Sequence, residues 1–499
     1  MSNLSVLKDS ELLYERGIYP RSTYIFKHAL TQEVTYNSLL QKQRKKVHAK
    51  IGKVIEDLYS ERIEENYEML AYHYERSDNN DKALKYLDLT NQKAIQVCAM
   101  VEAKAYFEKI MDLLDGLSES VKHKERRISL LVRQGPVFEL LLKYTEYFTL
   151  LIRYEPTAVE LGNQGLLGRL YASLGNCEYW FGKLGKSIQT FTKAIELCET
   201  PGNAEYALDA YRNLLWSYWF LGDFNLNLTF GEKALRILDS AFDPLKYVHM
   251  VSVTSFAYSF LGRWDRAVEE GQKARSIAEE YSNNSLISFT FFSIAVAYIQ
   301  KGDLALSVEY GELSVEKAST PADRVYSQSF LAWALCRAGE LNKGIDLLNQ
   351  VVSVFQDVRL LPAEIMVRIF LGEAYWLAGE FEKSKQTLKG VLDLAERLNM
   401  KPWIGFAHRI LGEIAIKTTP DQAVAHFDKS LSIYTMIGAE NDLALAYAGY
   451  GRLHRHKGNI AEAREYFEKA LGIFERLGTL IEPDKVRKDL ADLSPKGNS

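Results

Sequence analysis

The sequence predicts an all-α solenoid of paired antiparallel helices, and three observations carry that expectation. Glycines recur at steps of about 40 residues, small residues recur in phase with them, and eleven prolines in 499 residues leave long stretches free to be helical. Alternation of apolar and polar residues, the mark of a half-buried strand, is scarce.

The phased glycines are Gly182, Gly222, Gly262, Gly302, Gly339, Gly379 and Gly458. One repeat lacks its glycine and carries Thr418, Thr419 and Pro420 at the turn instead. The text around them repeats too, as in "FLGDFNLNLTFGEKAL", "FLGRWDRAVEEGQKAR" and "HKGNIAEAREYFEKAL". Each unit reads as helix, short turn, helix. Glycine ends the first helix because it takes the left-handed conformation freely, and the polar residue after it is placed to cap the second. In the last unit Ala463, Phe467 and Ala470 are spaced four and three apart, on one face of that second helix. Gly231, Gly271 and Gly311 hold the middle position in three successive units. Glycine costs about 1 kcal/mol inside a helix, so close helix packing is the expected reason. Pro201, Pro321, Pro362 and Pro402 fall between units, where helices stop. The pattern predicts eight units over residues 164–480 and a capping helix with a tail over 481–499. Residues 61–163 carry fainter hairpins, one of them "MLAYHYERSDNNDKALKYL" with Ala71, Tyr74 and Ala83 in phase.

Tyr218, Tyr258, Tyr298 and Tyr375 in the first helices, the turn glycine and the small–bulky–small triplet together make the pattern similar to the tetratricopeptide repeat. The usual unit is about 34 residues, so this resembles its longer-helix variant. The resemblance implies a right-handed α-superhelix whose first helices line the inside. Residues 1–60, with "TYIFKHALTQEVTYNSLLQKQRKKVHAKIGKVIEDLY", resemble the helical, winged-helix-like region that couples a STAND-type ATPase to such repeats in bacterial adenylate/guanylate cyclase signalling proteins. The expected phosphate loop, GxxxxGKS/T, is missing: "GKVIED" lacks the upstream glycine and the hydroxyl after Lys53. The expectation is therefore the sensing half of such a system without its nucleotide-switch engine.

The resemblance also fixes which positions face inward: Arg169, Asn176, Tyr179, Arg212, Trp216, Trp219, His249, Phe256, Phe289, Phe292, Tyr326, Trp333, Met366 and Trp376. Solvated helix faces are usually polar, so this aromatic set predicts a ligand- or partner-binding groove, with Arg169 and Arg212 placed to pair with an acidic group. The competing reading is that the same rings fill the superhelix interior. Two occupants are compatible with a groove: a protein or peptide, and a small molecule such as a sugar. A weaker possibility is an enzyme hidden in residues 1–160.

Formal net charge is −4, so no basic field points to nucleic acid. The basic run "QKQRKKVHAK" is balanced by "ERIEEN" and reads as a solvated helix face. Cys98, Cys177, Cys198 and Cys336 form no CxxC pair, which suits a reducing cytoplasm. His454 and His456 are two apart and do not share a helix face, so with His408 they make a poor ligand set and no metal is expected. No GxSxG, HExxH or GxGxxG motif occurs, so neither catalysis nor a cofactor is expected. The N-terminal text has no long apolar run and no stretch is long enough for a membrane span, so neither a signal peptide nor a membrane partner is expected. An ATPase or cyclase module in cis or in trans is the partner the resemblance implies.

Overall fold

The computed structural model describes residues 2–17, 23–199, 203–239 and 242–493, and the chain divides into two compact units, 1–118 and 119–499.

The first unit opens with helix Ser2–Asp9 and two short antiparallel strands, Leu13–Arg16 and Thr23–Phe26. This hairpin departs from an all-helical chain, and it falls outside the repeat region. Helices Ala29–Ser38 and Gln41–Leu58 follow, then the pair Tyr67–Glu75 and Asn80–Gln96, then Met100–Asp115. The pair forms because Ala71, Tyr74 and Ala83 are buried on facing sides and Asn79 caps the second helix by accepting from the Lys82 N–H. Glu56 receives the Tyr74 and Tyr86 hydroxyls at 2.8 and 2.6 Å, which ties the long helix to the pair.

The second unit begins with Val121–Arg133, Gly135–Leu140 and Tyr144–Leu161. The break before Gly135–Leu140 coincides with Pro136, which cannot donate a backbone hydrogen bond. Eight helix pairs then run on: Gln164–Trp180 with Leu184–Cys198, Leu208–Leu221 with Phe224–Leu238, Pro244–Phe260 with Trp264–Glu280, and Asn284–Lys301 with Leu304–Lys317. The other four are Pro321–Ala338 with Leu341–Val358, Leu361–Leu377 with Phe381–Arg397, Lys401–Ala415 with Pro420–Ile437, and Glu440–Lys457 with Ile460–Leu477. Glu482–Ala491 follows, and residues 494–499 of the expected tail lie outside the described residues, as does Pro201. Pro321, Pro362 and Pro402 stand in the first turns of their helices, where no N–H is missed. Gly222, Gly302, Gly339 and Gly458 end first helices in the left-handed conformation. The architecture is a tetratricopeptide-like α-solenoid.

Glycines at the repeat's middle position mark close helix contacts. A Cβ on Gly231 would come 2.4 Å from Thr254 Cγ2, and one on Gly271 2.6 Å from Ile294 Cγ1.

The solenoid winds back onto itself within this unit. The turn at Gly182 lies under Leu361, that at Gly222 under Pro402, that at Gly262 under Leu477 and that at Gly302 under Leu480. Polar contacts accompany the stacking. Lys401 pairs with Asp223 at 2.6 Å, the Trp264 indole N–H donates to the Leu477 carbonyl at 2.6 Å, and the Leu480 N–H donates to the Lys301 carbonyl at 2.7 Å. With the turns in contact, first helices converge on the axis and fill it with rings: Trp219 meets Trp403 at 5.4 Å, and Trp333 stacks on Phe370 at 4.2 Å.

Candidate functional site

The inward positions divide into two groups by burial. Tyr179, Trp219, Phe256, Phe292, Trp333 and Met366 are buried, with Trp333 and Trp219 each at 1% exposure. Trp216, His249, Phe289 and Tyr326 are half-buried. For the buried group the competing reading holds and the expected groove is corrected: stacking of successive turns closes the axis there, and the rings pack as core. Trp333 is anchored as core residues are, its indole N–H donating to Glu373 at 2.7 Å while Arg409 pairs with the same carboxylate at 3.2 Å.

At one end the axis stays open as a cavity of about 60 Å³. Trp180, Trp216, Trp219, His249, Phe289, Phe292, Tyr326, Phe330 and Met366 line it, with Glu139 from the short helix Gly135–Leu140. Aromatic contacts hold the wall. Trp216 meets Phe256 at 5.4 Å and Phe289 at 6.1 Å, His249 meets Phe289 at 4.7 Å, and Trp180 meets Tyr326 at 5.8 Å.

Charge at the cavity is spoken for. Arg212 grips Glu139 with two hydrogen bonds, at 3.2 and 2.9 Å, and Asn176 reaches the same carboxylate at 3.4 Å. Asp323 closes a capping box with Thr320 and accepts the Ser285 hydroxyl at 2.8 Å. Burial, and secondarily the Arg212 charge, push His249 down to about 3, so its ring is neutral at physiological pH. Among the described residues His249 Nδ1 and the Tyr326 hydroxyl have no hydrogen-bond partner. The surface offered is mainly apolar and aromatic, its Glu139 and Asp323 carboxylates are already hydrogen-bonded, and the Trp219 indole N–H is a third polar group without a partner among the described residues. Arg212 is already paired, which corrects the expectation that it awaits an acidic ligand group. Arg169 lies over the Tyr206 ring at 5.4 Å rather than at the cavity.

Trp376 is elsewhere, in a wider groove of about 860 Å³ beside the turns at Gly379 and Thr418–Thr419. Sequence reasoning missed Trp180, Glu139 and this groove: Trp180 adjoins the selected Tyr179, and Glu139 stands before the phased repeats begin.

Burial raises the Cys198 thiol to about 11 and the Cys336 thiol to about 12, and Cys177 is raised as well, so all three are protonated and unreactive. His408 contacts His426 at 2.8 Å, not His454 or His456. Among the described residues no three His, Cys, Asp or Glu side chains gather as a metal site, and no helix is long and apolar enough to cross a membrane.

A helical solenoid with an aromatic cavity defines the class, and comparison with known proteins agrees: residues 407–476 match the tetratricopeptide repeat family, so the chain carries a tetratricopeptide region. An uncharacterised protein of Rhizobium meliloti is 28% identical over 465 residues, covering 92% of this chain and 38% of that protein. A kinesin light chain-related protein of Arabidopsis thaliana is 24% identical over 312 residues, covering 58% of this chain and 47% of that one. The chain thus spans less than half the length of either relative. A solved structure of a Rap protein complexed with competence and sporulation factor superposes with a TM-score of 0.45 at 11% identity, over 65% of this chain and 97% of that one.

Proposed function

We propose that the chain is a non-catalytic, peptide-receiving regulatory module whose cavity takes one aliphatic side chain of a partner peptide. The observation that carries this is the cavity itself: the axis is open among Trp216, Phe289 and Tyr326, and its wall there is mainly aromatic, with the Glu139 and Asp323 carboxylates already hydrogen-bonded. Its size selects the anchor. An apolar cavity of about 150 Å³ holds a benzene ring, so 60 Å³ suits a branched aliphatic tip. Burying such a side chain is worth about 1.5–3 kcal/mol, roughly a 10- to 100-fold share of affinity. The module's output is a nucleotide-switch ATPase or cyclase, in cis or in trans. The text of residues 24–60 supports this.

Selection of random peptides displayed against the immobilised protein tests the reading. Ala322 also lines the cavity, and enriched peptides should share an aliphatic anchor and lose at least 10-fold in affinity for Ala322→Leu, which fills it. Equal affinity for that variant would refute the cavity as the receiving site. A second reading, a small uncharged molecule bearing a hydroxyl, is favoured by the unpartnered His249 Nδ1 and Tyr326 hydroxyl. Native mass spectrometry of protein from its own host separates the two by the mass of what stays bound.

A further inference from the structure

Two positions after the turn, the repeat places an apolar residue: Leu184, Phe224, Trp264, Phe381 and Ile460 among them. At the turns under Leu361, Pro402 and Leu477 that side chain is buried, with Leu184, Phe224 and Trp264 at 3%, 1% and 4% exposure, and at the turn under Leu480 the corresponding Leu304 is half-buried. Phe381 and Ile460 hold the same place in the repeat and are 51% and 43% exposed. Among the described residues nothing lies within 4 Å of a Cβ built on Gly379 or Gly458. The apolar ledge that earlier turns use to receive the next layer of the solenoid is thus uncovered at the Gly379 and Gly458 turns.

We propose that this ledge, around Phe381 and Trp376, is a second docking surface, distinct from the axial cavity, and that its occupant is an acidic partner segment presenting a leucine or proline. The apolar part of that assignment comes from the molecule's own stacking. Leu361, Pro402, Leu477 and Leu480 are the residues that cover the earlier turns. The acidic part comes from charge. The groove is lined by Lys383, Lys385, Lys417, Arg452 and Arg455 against Glu380, Glu382 and Glu413. Glu380 pairs with Lys383 and Glu413 with Arg452, whereas Lys385 and Lys417 have no ion-pair partner among the described residues. A carboxylate brought near them gains a charge-assisted contact, and a leucine over Phe381 removes apolar surface from water.

The test uses a fluorescent peptide in which Leu-Leu-Pro, the text of residues 360–362, is flanked by glutamates, with a lysine-flanked peptide as control. Fluorescence anisotropy with the full chain should show saturable binding of the acidic peptide, weakened several-fold between 50 and 300 mM salt. Phe381→Asp should weaken it at least 10-fold. So should Lys385→Glu combined with Lys417→Glu, which keeps the test open if the first variant folds poorly. Trp216→Ala, at the axial cavity, should bind the probe as wild type does, so the two sites succeed or fail separately. No saturable binding, or equal binding of the lysine-flanked peptide, overturns the proposal. A wild-type dimer by sedimentation velocity that becomes a monomer in Phe381→Asp also overturns it, because the occupant is then a second copy.

Discussion

Gly271 lies within helix Trp264–Glu280, and its bare Cα faces Ile294 on helix Asn284–Lys301. A Cβ there would come 2.6 Å from Ile294 Cγ1, well inside van der Waals contact. Ile294 is fully buried, at 0% exposure, so it has little room to withdraw. Two effects oppose each other in Gly271→Ala. Alanine favours the helix by about 1 kcal/mol, and overpacking costs about 1–3 kcal/mol. The net expectation is destabilisation of about 0–2 kcal/mol. Gly271→Leu adds three more carbons to the same contact and should cost about 3 kcal/mol or more. Gly472, inside helix Ile460–Leu477, is the control: nothing lies within 4 Å of its Cβ position. Gly472→Ala should therefore stabilise by up to about 1 kcal/mol. The assay is guanidinium unfolding followed by far-UV circular dichroism. Hydrogen exchange should confirm that the Gly271 variants loosen their own and adjacent helix pairs first, because each pair leans mainly on its neighbours. Close packing at Gly271 is refuted if Gly271→Leu unfolds like wild type, or if the two alanine variants shift stability by the same amount in the same direction.

Glu373→Ala should cost about 3–5 kcal/mol in the same unfolding assay, because it strands the buried Arg409 charge and the Trp333 indole N–H; a change below about 1 kcal/mol would contradict the buried pair. Trp333→Ala should cost about 3–5 kcal/mol as a core truncation, and a variant as stable as wild type would show that its ring is not core. His408 is held down to about 4 by burial, then by His426 and Lys429. Its native pKa lies below the unfolded value near 6.5, so its contribution is present above pH 6.5 and is lost as pH falls toward 4, about 2 kcal/mol by pH 5. His408→Gln should flatten that fall in thermal melts between pH 7.5 and 4.5, and an unchanged pH profile would contradict it.

The period was legible because it is local chemistry. A glycine in the left-handed conformation and a small residue at a tight helix contact are demands of single turns and single faces, so they recur in the text. Even the glycine-free turn at Thr418–Thr419 could be placed from its neighbours. What could not be read was the winding. Trp216 and Trp333 both lie on first helices, yet one borders a cavity and the other is sealed against Phe370. Which of these happens depends on contacts such as Gly222 with Pro402, made between residues about 180 apart and invisible to any local pattern. The same limit hid the link between Arg212 and Glu139, which lie 73 residues apart. The His408–His426 contact joins two helices of one pair across 18 residues, a spacing set by the length of the turn between them rather than by either helix's own period.

The most direct measurement is the affinity of the selected peptide for Trp216→Ala, taken beside that variant's thermal melt. Trp216 is half-buried at the cavity wall, so its ring serves the occupant more than the core. Affinity should be at least 10-fold weaker, with a melting temperature that falls far less than that of Trp333→Ala. A melting temperature that drops as far as that of Trp333→Ala, or peptide binding that is unchanged, would contradict it.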